Sequence, residues 1–401
     1  MKTITIHRAQ PGQGAEQSPR FEALPPLSLY VHLPWCVRKC PYCDFNSHEA
    51  GGELPEAQYV QALLRDLEHA LPLIWGRPVH SIFIGGGTPS LFSAQAIDEL
   101  LAGVRARVRL DADAEITMEA NPGTVEAERF RGYAAAGVNR ISIGVQSFDD
   151  ASLHALGRIH ASGDAVRAAE LAAQHVGNFN LDLMYALPGQ TVDLALRDIE
   201  QALALAPTHL SAYQLTLEPN TLFHRYPPTL PDEDTQIDIE EAVHARLAQA
   251  GYQRYETSAF ALPGRQCRHN LNYWRFGDYV GIGAGAHGKI SLPDKVLRQI
   301  RYKQPKAYLS AVEQGQPVQE ERAVPRSDMP FEFMLNALRL TDGFELSSYA
   351  ERTGDSMASI LDALDAAQSK GLIERDHRWV RPTDLGRRFL NDLQAMFLKS
   401  A

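Results

Sequence analysis

The chain has 401 residues, 44% hydrophobic and 22% charged, enough apolar material for a sizeable core and too much for global disorder. With 39 Lys and Arg against 49 Asp and Glu, its formal net charge of −10 argues against a general nucleic-acid or anionic-membrane binder. No apolar run nears the roughly 18 residues that span a bilayer, residues 1–14 lack the apolar segment of a signal peptide, and four cysteines make no disulfide scaffold. The cytosol is the expected compartment.

Residues 1–25, rich in Gln, Pro, Gly and Ser, show no periodicity and read as a loose arm. The run LSLYVHL at Leu27–Leu33 reads as a buried strand. Residues 56–74 then place Tyr59, Val60, Leu63, Leu64, Leu67 and Leu71 at helical spacing. Residues 80–84 form a strand ending in Gly85-Gly86-Gly87, and Ser93 caps a helix carrying Ile97, Leu100, Leu101 and Val104. Strands at 114–119, 140–146, 179–185 and 209–217 follow, each with a helix after it, at 125–136, 161–175, 192–205 and 235–250. Six strand–helix units in a row imply parallel strands joined by right-handed crossovers, as a partial barrel or a doubly wound sheet. In either, reactive groups gather at the C-terminal ends of the strands.

Residues 251–260 offer one more strand, and residues 263–290 read as irregular and Gly-rich. From Met329 the texture turns helical, then Gly371-Leu372-Ile373, a strand candidate at Trp379-Val380 and a last helix over 383–398 suggest a winged-helix-like appendage. Residues 351–401 balance eight basic against eight acidic residues, which argues against DNA binding by that tail.

Cys36, Cys40 and Cys43 lie on the loop after the first strand, and Cys267 stands apart. A structural zinc would want a fourth ligand, and no second Cys pair or Cys/His knuckle follows. Cys40 and Cys43 have redox-pair spacing, which leaves Cys36 unexplained. Three thiolates on one loop suit a four-iron cluster with one iron left open. The C-x3-C-x2-C spacing, with Tyr42 before the last cysteine, resembles the radical S-adenosylmethionine superfamily. That resemblance implies a [4Fe-4S] cluster whose open iron is chelated by the methionine end of S-adenosylmethionine, within a partial (β/α)6 barrel.

Further features fall at successive strand ends: Gly86, Gly87 and Thr88, then Glu119, Gln146, Arg158 and Asp182. Bare glycines let a ligand approach the backbone, acids can hold ribose hydroxyls, and an arginine can hold a carboxylate. A tight turn, a helix cap or a satisfied buried acid explains each of these residues singly; their recurrence in order favours a nucleotide pocket. Tyr30-Val-His32, Gly86-Gly87-Thr88-Pro89, Gly144-Val145-Gln146-Ser147-Phe148 and Leu187-Pro188-Gly189-Gln190 resemble the oxygen-independent coproporphyrinogen oxidase group. That resemblance adds Tyr30 and Tyr42 to the expected nucleotide contacts.

The oxidases of that group carry another cysteine two residues after the third, where this chain has Phe45, and have a longer N-terminal segment. Both departures argue against decarboxylase activity. Cys267-Arg268-His269-Asn270-Leu271-Asn272-Tyr273-Trp274 resembles the H-N-x-x-Y-W motif of the haem chaperone branch. If helical, it sets His269 and Tyr273 on one face beside Trp274. The resemblance implies haem as cargo and client haemoproteins such as respiratory enzymes as partners, with His269, Tyr273, Trp274 and Cys267 as candidate haem contacts. Membrane association would come through clients, and the cluster loop leaves a homodimer open. The Gly283-x-Gly285-x-x-Gly288 run opens no helix and is read as a loop closing over the pocket mouth, not as a dinucleotide fingerprint. The expected organisation is the arm, a barrel over 26–262, a Gly-rich connection over 263–305 carrying the H-N-x-x-Y-W motif, and a helical, winged-helix-like domain over 306–401.

Overall fold

The computed structural model describes residues 21–398 apart from residues 75 and 125, so most of the expected N-terminal arm lies outside the described residues. Strands β1 (Leu27–Leu33), β2 (Val79–Gly86), β3 (Leu110–Ala120), β4 (Arg140–Gln146), β5 (Phe179–Tyr185) and β6 (His209–Gln214) pair in parallel, each beside the next. Helices Glu56–Ile74, Ala94–Arg105, Ala127–Ala136, Ser162–His175 and Val192–Ala204 lie in the connections, and Glu233–Gln249 follows β6. Several start on the caps that their sequences offer: Ser93 accepts from the Ala96 amide, Thr191 from that of Leu194 and Asp232 from that of Thr235.

Strand parity explains the layering. On β4, Ile141, Ile143 and Val145 are fully buried in the main core, while Arg140, Ser142, Gly144 and Gln146 turn to the other face. On β5, Leu181 and Leu183 face the core and Asn180, Asp182 and Met184 face inward. The inward residues of β2 through β6 border one shared cavity, so the sheet curls around it.

After β6 the chain departs from what periodicity suggests. The strand expected at 251–260 is a pair, β7 (Gln253–Arg254) and β8 (Ala259–Ala261), with β8 antiparallel to β6. Residues 263–290, expected to be irregular, are ordered as helix Arg268–Trp274, strand β9 (Asp278–Ile282) and the start of β10 (His287–Leu292). Strand β9 runs parallel on the far side of β1, with Leu27 opposite Asp278 and Val31 opposite Ile282. Strands β10, β11 (Lys295–Arg301) and β12 (Val318–Ala323) continue antiparallel from it, giving a twelve-stranded sheet. Glycines at 277, 281, 283, 285 and 288 hide the strand signal because they supply no hydrophobic period.

Buried polar ties hold this added edge to the barrel. Asp66 of the first long helix accepts from Arg301 Nε at 3.1 Å, Tyr308 Oη at 2.9 Å and the Gly283 amide at 3.1 Å. Asp278 meets Arg77 Nη1 at 2.8 Å and Lys289 Nζ at 3.0 Å. A second core, around Phe333, Tyr349 and Leu364, sits under helices Met329–Ala337, Leu346–Thr353 and Leu361–Ser369 and the hairpin Ile373–Arg375 with Trp379–Pro382. The last helix expected over 383–398 is two, Asp384–Arg388 and Leu390–Ala395, broken where Phe389 adopts φ −108° and ψ 42°. No helix among the described residues is long and apolar enough to cross a membrane.

Candidate functional site

The loop leaving β1 carries the three cysteines across the C-terminal end of the strands. Trp35–Cys36 pairs with His48–Glu49, and the Cys43 amide donates to the Cys40 carbonyl at 3.1 Å, turning the thiols to one side. The thiols are free and half-buried, and they border the cavity of about 400 Å³ enclosed by the barrel. Burial pushes the Cys36 and Cys43 thiols up, and Arg158 Nη1 lies 3.6 Å from Cys40 Sγ. Among the described residues no three His, Cys, Asp or Glu side chains stand grouped as ligands of a single ion. All three thiols border the one cavity, a donor set of the kind that holds an iron–sulfur cluster.

Eight of the nine residues expected at a nucleotide border the same cavity: Tyr42, Gly86, Gly87, Thr88, Glu119, Gln146, Arg158 and Asp182. Glu119 Oε2 accepts from the Gly86 amide at 3.0 Å; burial, then the nearby Asp182, pushes its carboxyl up to about 7. Asp182 is also raised by burial, against donors from Asn180 at 2.8 Å and Ser142 at 3.0 Å. Arg158 donates to the Gly144 carbonyl at 2.7 Å, while its buried Nε meets no acceptor among the described residues. That orphaned donor and two uphill carboxyls fit a ligand bearing a carboxylate and a diol. Gln146 reaches the cavity from φ 71°, a left-handed position costly for a side chain, at an irregularity in the β4–β5 pairing.

The glycines need another account. At Gly86, φ is 115° and a Cβ would come within 2.6 Å of the His32 ring; at Gly87 it would meet the Trp35 carbonyl oxygen at 2.5 Å. Their smallness is demanded by packing between β1 and β2, whatever lies in the cavity. Likewise a Cβ on Gly285 would overlap the Asn46 side chain, so that turn closes against the cluster loop.

Tyr30 faces elsewhere, with its hydroxyl 3.0 Å from His32 Nδ1. It borders a neighbouring cavity of about 710 Å³, which shares Cys43, Asp44, Phe45, Ser47, Gly86 and Glu119 with the first. Tyr273 and Trp274 also border this larger space; among the described residues the Trp274 indole N–H has no acceptor, and Arg339 lies 4.3 Å over its ring.

His269 and Cys267, expected as candidate haem contacts with them, border neither cavity. His269 is fully buried, with Nδ1 3.0 Å from Ser81 Oγ and Nε2 2.9 Å from the Tyr273 hydroxyl. Burial pushes its pKa down to about 3, so the ring is neutral with both nitrogens engaged. Cys267 is equally buried, 3.5 Å from Glu115 Oε1, with its thiol pushed up to about 12 by burial. The helix does set His269 and Tyr273 on one face, with His269 buried in the core and Tyr273 at the cavity wall.

Arg140, Ser142, Asn180, Ser211 and Tyr213 were missed although they form the cavity floor. His209 links that floor outward, 2.6 Å from Asn180 Oδ1 and 2.8 Å from the Tyr255 hydroxyl. Their signal was period-two parity: each stands two residues from another inward position on its strand.

A curled parallel sheet with three thiols on the loop after its first strand defines the class: the chain is an α/β protein with a radical SAM fold and a helical C-terminal region. The profile of the Radical SAM superfamily matches residues 30–202, and that of the HemN C-terminal domain matches residues 324–389. The solved coproporphyrinogen III oxidase HemN of Escherichia coli superposes with a TM-score of 0.79 at 26% identity, covering 93% of this chain and 90% of that one. The protein named Heme chaperone HemW in Escherichia coli strain K12 is 54% identical over 377 residues, 94% of this chain and 99% of the relative. Its namesake in Haemophilus influenzae is 50% identical, covering 94% and 98%. The chain belongs to the HemW family.

Proposed function

We propose that this protein is a haem chaperone, binding haem and handing it to client haemoproteins such as respiratory enzymes. The observation that carries this reading is the second cavity: it adjoins the three-cysteine cavity and is bordered by Tyr273 and Trp274 of the motif and by Phe45, where the related oxidases have cysteine. The near full-length identity to chaperone-named relatives supports it.

Cys36, Cys40 and Cys43 are the thiolates that would hold a [4Fe-4S] cluster, whose open iron supplies a chelating position for S-adenosylmethionine when both are bound. This chain's own groups do the rest. Arg158, with its free Nε, holds a carboxylate. Glu119 and Asp182 accept from ribose hydroxyls once ionised, and Tyr42, Gly86, Gly87, Thr88 and Gln146 shape the walls. Tyr30 belongs to the haem side of the shared wall. The barrel, the added strands β9–β12 with the haem-side residues, and the helices of the second core around Phe333 then act as cofactor holder, cargo wall and cover.

The test has two arms on anaerobically reconstituted protein. Haem-loaded protein is expected to transfer haem to an apo-haemoprotein, and coproporphyrinogen III with S-adenosylmethionine and a reductant is expected to return unchanged. Decarboxylated product would sink the chaperone reading in favour of an oxidase. Reconstitution of Cys36→Ala is expected to lose the cluster's iron.

A further inference from the structure

We propose that a third cleft, of about 200 Å³, is a binding site for a phosphate group, held by the guanidinium groups of Arg275 and Arg352. The cleft lies at the other end of the strands from the cysteine loop. There the starts of β1 and β2, one side of helix Arg268–Trp274 and Arg352 of helix Leu346–Thr353 meet. None of its residues borders either of the two larger cavities, so the proposal stands whatever those cavities hold.

The chain carries a net charge of −10, yet three arginines and His80 border this cleft and no Asp or Glu does. Arg268, Leu271, Asn272 and Arg275 recur at helical spacing, so one stripe of the short helix faces the cleft with an arginine at each end.

The cations differ in what they are committed to. Arg268 Nη1 donates to the Asp113 carbonyl at 2.6 Å and meets its carboxylate at 3.2 Å, and His80 Nδ1 lies 2.5 Å from Asp111 Oδ2. The Arg275 and Arg352 side chains make no hydrogen bond or ion pair among the described residues. Burial pushes the half-buried Arg352 guanidinium down; Glu351 and Asp278 oppose this from beyond ion-pair distance, and Arg275 adds to it. Asp278 is already met by Arg77 at 2.8 Å and Lys289 at 3.0 Å. Two like charges therefore share one cleft without a counter-ion of their own.

The class of ligand follows from these donors. Two uncommitted guanidinium groups ask for a dianion, and a phosphate group carries about −1.5 to −2 at pH 7 with three acceptor oxygens. Each guanidinium presents a planar fork of N–H donors that fits two of those oxygens. The size agrees: the cleft falls below the roughly 300–1,000 Å³ of drug-sized pockets and suits a phosphate with a short substituent. Its remaining wall is polar and held in place. Ser28 Oγ and Ser81 Oγ share a hydrogen bond of 2.8 Å, Ser81 Oγ lies 3.0 Å from His269 Nδ1, and Asn272 Nδ2 donates to the Asp278 carbonyl at 2.8 Å.

The experiment is isothermal titration calorimetry of the full-length protein with inorganic phosphate and with glycerol 3-phosphate, in phosphate-free buffer at constant ionic strength. Saturable binding at a single site is expected, and the tighter of the two probes tells free from esterified phosphate. Arg275→Gln with Arg352→Gln is expected to weaken binding about tenfold or more, with folding checked by circular dichroism. Arg275→Lys with Arg352→Lys weakens it less, because the charges stay and the forks are lost. Arg388→Gln, which loses only the ion pair to Glu241, leaves binding unchanged. A second measurement needs no variant: phenylglyoxal modification of arginines, mapped by peptide mass spectrometry. Phosphate is expected to protect Arg275 and Arg352 in the wild-type protein. No saturable binding of either probe would overturn the proposal. Wild-type affinity in the folded double-glutamine variant would do the same, as would protection confined to arginines outside the cleft, such as Arg158.

Discussion

Glu119→Gln should make the nucleotide-free protein more stable above neutral pH, because the wild-type carboxyl is ionised there against its surroundings. Burial and then Asp182 move that carboxyl from its ordinary 4.5 to about 7. At about 1.4 kcal/mol per pH unit, ionising it inside the barrel costs up to about 3 kcal/mol. The sign is set by proton binding: between pH 4.5 and 7 the folded chain holds a proton that the unfolded chain has released. Wild-type stability therefore falls as pH rises through that window and levels off above it. Glutamine keeps an oxygen for the Gly86 amide, now 3.0 Å from Glu119 Oε2, and never ionises. Urea unfolding followed by far-ultraviolet circular dichroism between pH 4.5 and 8 should show equal stabilities at the acid end and a gain of about 2–3 kcal/mol for the variant at pH 8. Asp182→Asn should give part of the same gain, since it removes the charge that Glu119 faces. A Glu119→Gln protein no more stable than wild type at pH 8, or one with an unchanged pH slope, would refute the reasoning.

Other expectations follow from the same geometry. Asp66→Ala strips Arg301, Tyr308 and the Gly283 amide of a shared buried acceptor and should cost about 3–5 kcal/mol in urea unfolding. Gly86→Ala places a methyl against the His32 ring at φ 115°, and a drop in thermal midpoint with altered cavity ligand binding is the measurable result. His269→Ala removes the partner of the Tyr273 hydroxyl and one of the two partners of the Ser81 hydroxyl and should destabilise by about 1–3 kcal/mol in urea unfolding. Arg158→Met should weaken S-adenosylmethionine binding by about tenfold or more in equilibrium dialysis, with the three thiols still titratable.

Much of the site was legible in the residues. The cysteine loop, the carboxyls at 119 and 182 and the arginine at 158 were readable because strand–helix alternation says which end of each strand is reactive. Parity would have added Arg140, Asn180 and Ser211, since an inward position recurs every second residue. The haem side was harder: the motif named Tyr273 and Trp274 with His269 and Cys267, and a seven-residue helix does not announce which of its faces meets the core.

The sequence by itself determined the six parallel strand–helix units and the loop that gathers three thiols above them, because hydrophobic period and residue type are local properties. Only the tertiary structure decided that β9 lies beside β1, about 250 residues earlier, that His269 and Cys267 close the core, and that two cavities share one wall. Those outcomes depend on pairings between distant segments whose glycines carry no period, fixed by buried ties such as Asp66 to Arg301 rather than by any neighbouring residue.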